Sequence, residues 1–256
     1  MTLIENVILS IVEGITEYLP VSSTGHLMMF TEWLDVKDEQ IDTYIISIQF
    51  GAILSVVVLY WKKFFQKNWW PFYQKLIVGF IPAAILGLLF DDFLEQLLQT
   101  PAVVGIMLIL LGILLLFTEK LLPEGEKDID DITHLDALII GFVQTFAMIP
   151  GTSRSAVTIL GGLGRKLKKT AATEFSFFLA IPTLTAAAGY KILKNWEQLN
   201  SNKLTDIAWG NVISFFTAAI AVTYFIKIVQ LTGFKWFGVY RIIIGSTFLL
   251  TLYLQK

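Results

Sequence analysis

Long apolar runs recur along the whole chain, at residues 43–61, 75–90, 101–118, 134–149, 170–189, 206–230 and 237–254. Most are close to the roughly 20 residues that a helix needs to cross a bilayer. In hydrocarbon a backbone amide finds its partner only inside a helix or a closed barrel, and these runs lack a barrel's strict alternation. The sequence therefore predicts an all-α integral membrane protein, a polytopic helical bundle. Composition agrees, because 55% of the residues are hydrophobic and only 16% are charged, against about a quarter in soluble domains. With no cysteine, disulfides and thiolate metal sites are excluded. A net charge of -2 carries no footprint of nucleic-acid binding. Met1 to Ser10 has no basic region and no small-residue cleavage site follows an apolar run, so the first segment is expected to stay in the mature protein.

Against this apolar background one stretch stands out. "VEGITEYLPVSSTGHLMM", residues 12–29, carries two glutamates, two serines, a threonine and a histidine. Its pattern returns as "VQTFAMIPGTSRSAVT", residues 143–158. With one residue deleted, Val12-Glu13 aligns on Val143-Gln144, Pro20 on Pro150 and Ser23 on Ser153. In each copy a proline shortly precedes a Ser/Thr/Gly cluster, which stops a helix and exposes backbone groups. Such a break at membrane depth is tolerated only in protein or along a wet cavity.

Further matches extend the repeat, though not in chain order. "GFIPAAILG" (79–87) resembles "LAIPTLTAA" (179–187), and residues 50–60 loosely match 216–226. Gly105 and Gly112 match Gly238 and Gly245 at an offset of 133. These glycines suit close helix packing within a subunit or between subunits, which leaves a homodimer open. The reading is of two interleaved halves, 1–118 and 133–256, in one membrane domain joined by the acidic, proline-containing linker 119–133.

Charge orients the halves. If the two broken segments are re-entrant hairpins and the remaining apolar segments cross, the loops 62–75, 119–134, 164–169 and 227–236 share one side with twelve basic residues, against five opposite. The positive-inside rule makes the first side cytoplasmic and puts both termini outside. The hairpins then enter from opposite sides, as inverted-topology repeats do when they build a site near the midplane.

Glu13 and Glu17 are four residues apart, so on a helix both carboxylates share one face. Two such charges in a membrane segment are costly and mark a functional site. Ser22, Ser23, Thr24 and His26 follow across the break. The second copy supplies the opposite charge: Arg154, the hydroxyls of Thr152, Ser153 and Ser155, and the amides of a helix N-terminus. These donors suit a phosphate. The alternative role for Arg154 is that of a structural partner for Glu13 or Glu17, and a site can use it both ways. Arg241, in "VYRIIIG", is a further intramembrane cation, placed either at the site or at the interface.

The "EGITEYLPVSSTGH" and "PGTSRS" segments, the two IP elements and the terminal "YRIIIG" closely resemble the undecaprenyl-diphosphate phosphatases of the bacitracin-resistance type, over essentially the whole chain. The resemblance implies an interdigitated inverted repeat with two re-entrant helix hairpins in the bacterial plasma (inner) membrane. It implies hydrolysis of undecaprenyl diphosphate to the monophosphate, which recycles the lipid carrier of cell-wall synthesis, and dependence on a divalent cation. Carried over by position, it puts Glu13, Glu17, Ser23, His26 and Arg154 in the active centre, lined by Ser22, Thr24, Ser153, Ser155 and Arg241. The family commonly has phenylalanine and glycine where this chain has Thr152 and Ala156, which bears on the fine shape of the second turn.

The expected chemistry is attack by Ser23 on the terminal phosphorus, with Glu17 or His26 as base and Arg154 stabilising developing charge. His26 as nucleophile, or water activated directly by either base, remains open at this level. Glu13 and Glu17 are the expected ligands of Mg²⁺ or Ca²⁺, because hard carboxylate oxygens suit those ions. The rival function is a polyprenyl-phosphate transporter or flippase, since broken helices and midplane charges also build transporters.

Overall fold

The computed structural model describes residues 1–38, 41–65, 70–98, 100–196 and 201–254. Lys67 and Lys256 of the charge count lie outside them. The described chain is helical, with α1 (Leu3–Thr16), α2 (Ser23–Trp33), α3 (Ile41–Leu59), the single turn α4 (Trp61–Phe64), α5 (Trp70–Leu89), α6 (Asp91–Leu98), α7 (Pro101–Leu116) and the single turn α8 (Thr118–Leu121). After the linker come α9 (His134–Gln144), α10 (Arg154–Gly164), α11 (Lys169–Lys194), α12 (Ser201–Thr232) and α13 (Lys235–Leu254). Short 3₁₀ turns occupy Ile129–Asp131 and Thr145–Met148.

Five of these helices, α3, α5, α11, α12 and α13, are long and apolar enough to cross a membrane. The 16 residues of α7 rise about 24 Å. By contrast α2, α9 and α10 have 11 residues each and rise only about 17 Å, short of a roughly 30 Å hydrocarbon core. Many large apolar side chains face outward, Leu88, Ile220 and Phe216 among them, as expected of surfaces solvated by lipid.

Without a hydrophobic drive between helices in lipid, association depends on close van der Waals packing at small residues. Here α7 lies along α13, and an added Cβ on Gly112 or Gly245 would sit 3.0 or 2.9 Å from the carbonyl of Gly238 or Gly105. All four of these glycines therefore act within the chain. A second close pair is α5 with α9, where a Cβ on Gly141 would meet the Gly79 carbonyl at 2.3 Å. A third is α1 with α12, where one on Gly14 would meet Ser214 O at 2.6 Å. The core between them is aromatic: Phe178 receives Tyr60, Phe64 and Phe72 edge-on.

α1 packs along α12 as α9 packs along α5, and α3 contacts both α11 and α12. Pro82 lies inside α5 and Pro182 inside α11. Both helices wall one cavity, whose lining includes Ala83, Ala84, Thr183 and Leu184.

Ion pairs gather the loops at two ends. At one end Asp38 pairs with Lys203 at 2.8 Å and Asp91 with Lys194 at 2.9 Å. At the other, Lys63 pairs with Glu174, Lys168 with Asp128 and Lys169 with Glu119. The linker is docked rather than loose: Lys127 N–H donates to Lys166 O, its carbonyl accepts from Lys168 N–H, and Asp136 pairs with both Lys127 and Arg165.

Candidate functional site

Two turns meet in the middle of the bundle, one between α1 and α2, the other between the Thr145–Met148 turn and α10. Both are built the same way. Ser22 caps α2 with φ 73° and accepts from Gly25 N–H through its side chain. Ser153 caps α10 with φ 75° and accepts from Ala156 N–H. Positive φ in a serine is strained by about 1–3 kcal/mol and persists where surrounding structure imposes it. The structural alignment is therefore Ser22 with Ser153, one residue from the match read in the sequence. The reason is that the second turn carries one more residue between proline and cap, and Gly151, at φ 86° against Val104 O, accommodates it.

The first helical residues of the two turns are thereby equivalent positions, Ser23 in α2 and Arg154 in α10. Glu17 joins them. Its Oε2 accepts from Ser23 Oγ at 2.6 Å and its Oε1 accepts from Arg154 Nη2 at 2.9 Å. Arg154 Nη1 donates to Ser176 O at 2.9 Å, while Nε is buried and without a partner. The Tyr18 ring lies under the guanidinium, 5.5 Å from its carbon. First-turn N–H groups of α2 and α10 have no partner within their helices, so two helix N-termini lie beside the arginine where an anion would be held.

A cavity of about 580 Å³ opens beside this group. Glu17, Ser22, Ser23, Thr24, Ser153 and Arg154 line its inner part. Phe80, Ala83, Ala84, Leu88, Leu94, Leu184 and Ala187 give it an apolar wall, and Asp91, Tyr190 and Lys191 stand at its mouth. That is the shape and polarity for an amphiphile whose head is anionic.

The remaining expected residues divide by position. Ser155 is buried and bridges the turns, donating from Oγ to Leu19 O at 2.7 Å. Thr152 is buried with its hydroxyl unpartnered and is not on the cavity wall. His26 is also off the wall: Nδ1–H donates to Ser22 O and Nε2 accepts from Tyr240 OH, each at 2.7 Å, the tautomer that a carbonyl acceptor requires. Arg241 is fully buried, neither at the interface nor on the cavity. It donates to Pro20 O, Gly151 O and Thr152 O at 3.0, 2.7 and 3.1 Å, and to Met107 O and Leu108 O. It ties both turns to α7 rather than touching a ligand, because three carbonyls freed by the irregular backbone need donors.

Glu13 is 0% exposed, and both carboxylate oxygens lack a hydrogen-bond partner. Glu13 is off the cavity wall, and its orphaned oxygens beside Glu17 are of the hard carboxylate type that would suit a divalent cation. Among the described residues no group of three His, Cys, Asp or Glu converges, so protein atoms alone supply only these two carboxylates. Tyr18, Ser176 and Tyr240 were not legible as site residues. Ser176 sits in an ordinary helical stretch, and only the fold brings its carbonyl to Arg154.

Residues 6–247 match the model of the family described as bacitracin resistance protein BacA. The chain is 43% identical to a protein of Bdellovibrio bacteriovorus named undecaprenyl-diphosphatase, covering 99% of this chain and 97% of that one. Similar relatives with the same name occur in Flavobacterium johnsoniae, at 44% identity over 98% and 96% of the two chains, and in Methanococcus aeolicus, at 40% over 98% of each.

Proposed function

This chain belongs to the bacitracin resistance protein BacA family, and from that membership and its site we propose that it is a membrane undecaprenyl-diphosphatase, hydrolysing undecaprenyl diphosphate to undecaprenyl phosphate and inorganic phosphate. The reaction returns the lipid carrier to cell-wall synthesis and underlies bacitracin resistance. The observation that carries the reading is a serine hydroxyl 2.6 Å from a carboxylate whose other oxygen is held by an arginine, at the inner end of an apolar cavity.

In the proposed mechanism the prenyl chain lies in the cavity and the diphosphate between the two turns. Arg154 and the first-turn amides hold the terminal phosphate and stabilise the charge that develops on it. Glu17 Oε2 takes the Ser23 proton as the Oγ–P bond forms and the bridging P–O bond breaks. The bond's electron pair leaves with the lipid phosphate, which takes the proton from Glu17. Water then attacks the phosphorus and gives a proton to Glu17 as the Oγ–P bond breaks; Oγ takes that proton back from Glu17, which releases inorganic phosphate and restores Ser23. His26 is a positioning residue, bonded to the backbone of the Ser22 turn and to α13. A divalent cation held by Glu13 and Glu17 would polarise the phosphoryl oxygens.

The same reading makes the chain an inverted-topology repeat, 1–118 and 133–256, with α1–α2 and α9–α10 as re-entrant hairpins. Its support is the shared Ser22 and Ser153 geometry, the reciprocal glycine contacts of α7 and α13, and the matched pairs α1–α12 and α9–α5. The lysine-rich end faces the cytoplasm and both termini lie outside, so the cavity mouth at Asp91 and Lys191 opens outward. The test is inorganic phosphate released from a prenyl diphosphate by detergent-solubilised protein. Release is expected; a pure transporter yields none.

A further inference from the structure

Gln144 ends α9 and lines the same cavity as Ser23 and Arg154, yet the mechanism above leaves it without a task. It is 1% exposed, and its Nε2 has no hydrogen-bond partner. Thr183 Oγ1 lies 3.4 Å from Gln144 Oε1 and 2.8 Å from Leu179 O. A hydroxyl has one proton, which goes to the nearer carbonyl. Whichever way the amide is turned, Thr183 accepts at most one of its two N–H protons. At least one buried donor is left over, and an unmet buried donor costs about 1–3 kcal/mol. In a cavity built for an anion, that donor is met by the ligand.

Position says which part of the ligand. Arg154 is anchored on α11 at Ser176, and Gln144 meets the same helix at Thr183, seven residues or about 10 Å nearer the mouth. In an in-line displacement the leaving oxygen lies opposite the nucleophile. With Ser23 on the first turn, the lipid-linked phosphate extends away from it, toward the mouth and the α9–α11 wall. Gln144 also aligns in sequence with Glu13. The amide presents an N–H to an anion where the carboxylate would repel it.

We propose that Gln144 is a specificity-determining residue whose side-chain N–H binds the lipid-linked phosphate, the group retained in the product. Naming that group rests on the diphosphatase reading. The test measures binding rather than turnover: isothermal titration of farnesyl monophosphate and of inorganic phosphate, separately, into solubilised wild type, Gln144→Ala, Gln144→Met and Gln144→Glu, with thermal midpoints checking the fold. The two neutral variants should bind the monophosphate about 10- to 100-fold more weakly, as loss of a hydrogen bond to a charged group predicts. Gln144→Glu should bind it more weakly still, and inorganic phosphate should bind all the well-folded forms alike. Unchanged monophosphate binding by the methionine variant would overturn the proposal, and so would equal losses for both ligands, which would put Gln144 at the terminal phosphate. Gln144-dependent binding by a wild type that releases no phosphate would support the site and remove only the hydrolytic reading.

Discussion

Replacing Arg241 by methionine separates holding the site from holding the fold. The substitution removes hydrogen bonds to Pro20, Gly151 and Thr152 carbonyls, which lie in turns and have no helix ladder to fall back on. Hydrogen bonds from a charged donor are worth about 1.5–3 kcal/mol each, which for three sums to several kcal/mol. The guanidinium is 0% exposed, and its bonds all run to main-chain oxygens, so burying it costs several kcal/mol that methionine does not incur. The two quantities offset, and the unfolding midpoint should move little. Activity has no such offset. Ser23 and Arg154 come from different turns, and a misplacement of about 1 Å between reacting groups costs about 100-fold. Arg241→Met should therefore lose about two orders of magnitude in phosphate release while unfolding within a few degrees of wild type in the same detergent. Arg241→Lys should fall between, since one ammonium cannot span five carbonyls. Turnover within threefold of wild type by a folded methionine variant would refute the argument.

Other substitutions probe the remaining links. Arg154→Lys should fail nearly as badly as Arg154→Ala in phosphate release, because a point charge cannot hold Glu17, Ser176 and a phosphate oxygen together. Near-normal turnover would sink that assignment. Tyr240→Phe removes the donor to His26 Nε2 without touching the cavity; turnover should fall severalfold, and a loss as deep as that of Ser23→Ala would show that His26 acts on the substrate. Gly141→Ala drives a methyl to 2.3 Å from Gly79 O and should destabilise by about 1–3 kcal/mol. Gly189→Ala, with nothing within 4 Å, should leave the thermal midpoint unchanged or raised.

How much of this could be read from the sequence depends on what each contact needs. Glu17, Ser23 and Arg154 were legible because ionisable and nucleophilic groups inside apolar runs have few reasons to be there. The membrane class was legible from the apolar runs alone. The register of the two turns slipped by one residue, since only backbone geometry reveals that Ser22 and Ser153 share a strained capping conformation. Arg241 was visible as an intramembrane cation, but its partners are carbonyls, and a carbonyl leaves no mark in the sequence.

The central claim is that Ser23, activated by Glu17, attacks the terminal phosphate. Its most direct test is the initial rate of inorganic phosphate release from a C55 prenyl diphosphate by wild type, Ser23→Ala and Glu17→Gln, compared at equal folded protein, with and without EDTA. The account predicts robust release by wild type and losses of at least about 100-fold in both variants, the scale of general-base catalysis. The EDTA arm reports on the cation at Glu13 and Glu17. Retention of more than about a tenth of wild-type rate by folded Ser23→Ala would contradict nucleophilic attack by that serine and return the chemistry to directly activated water.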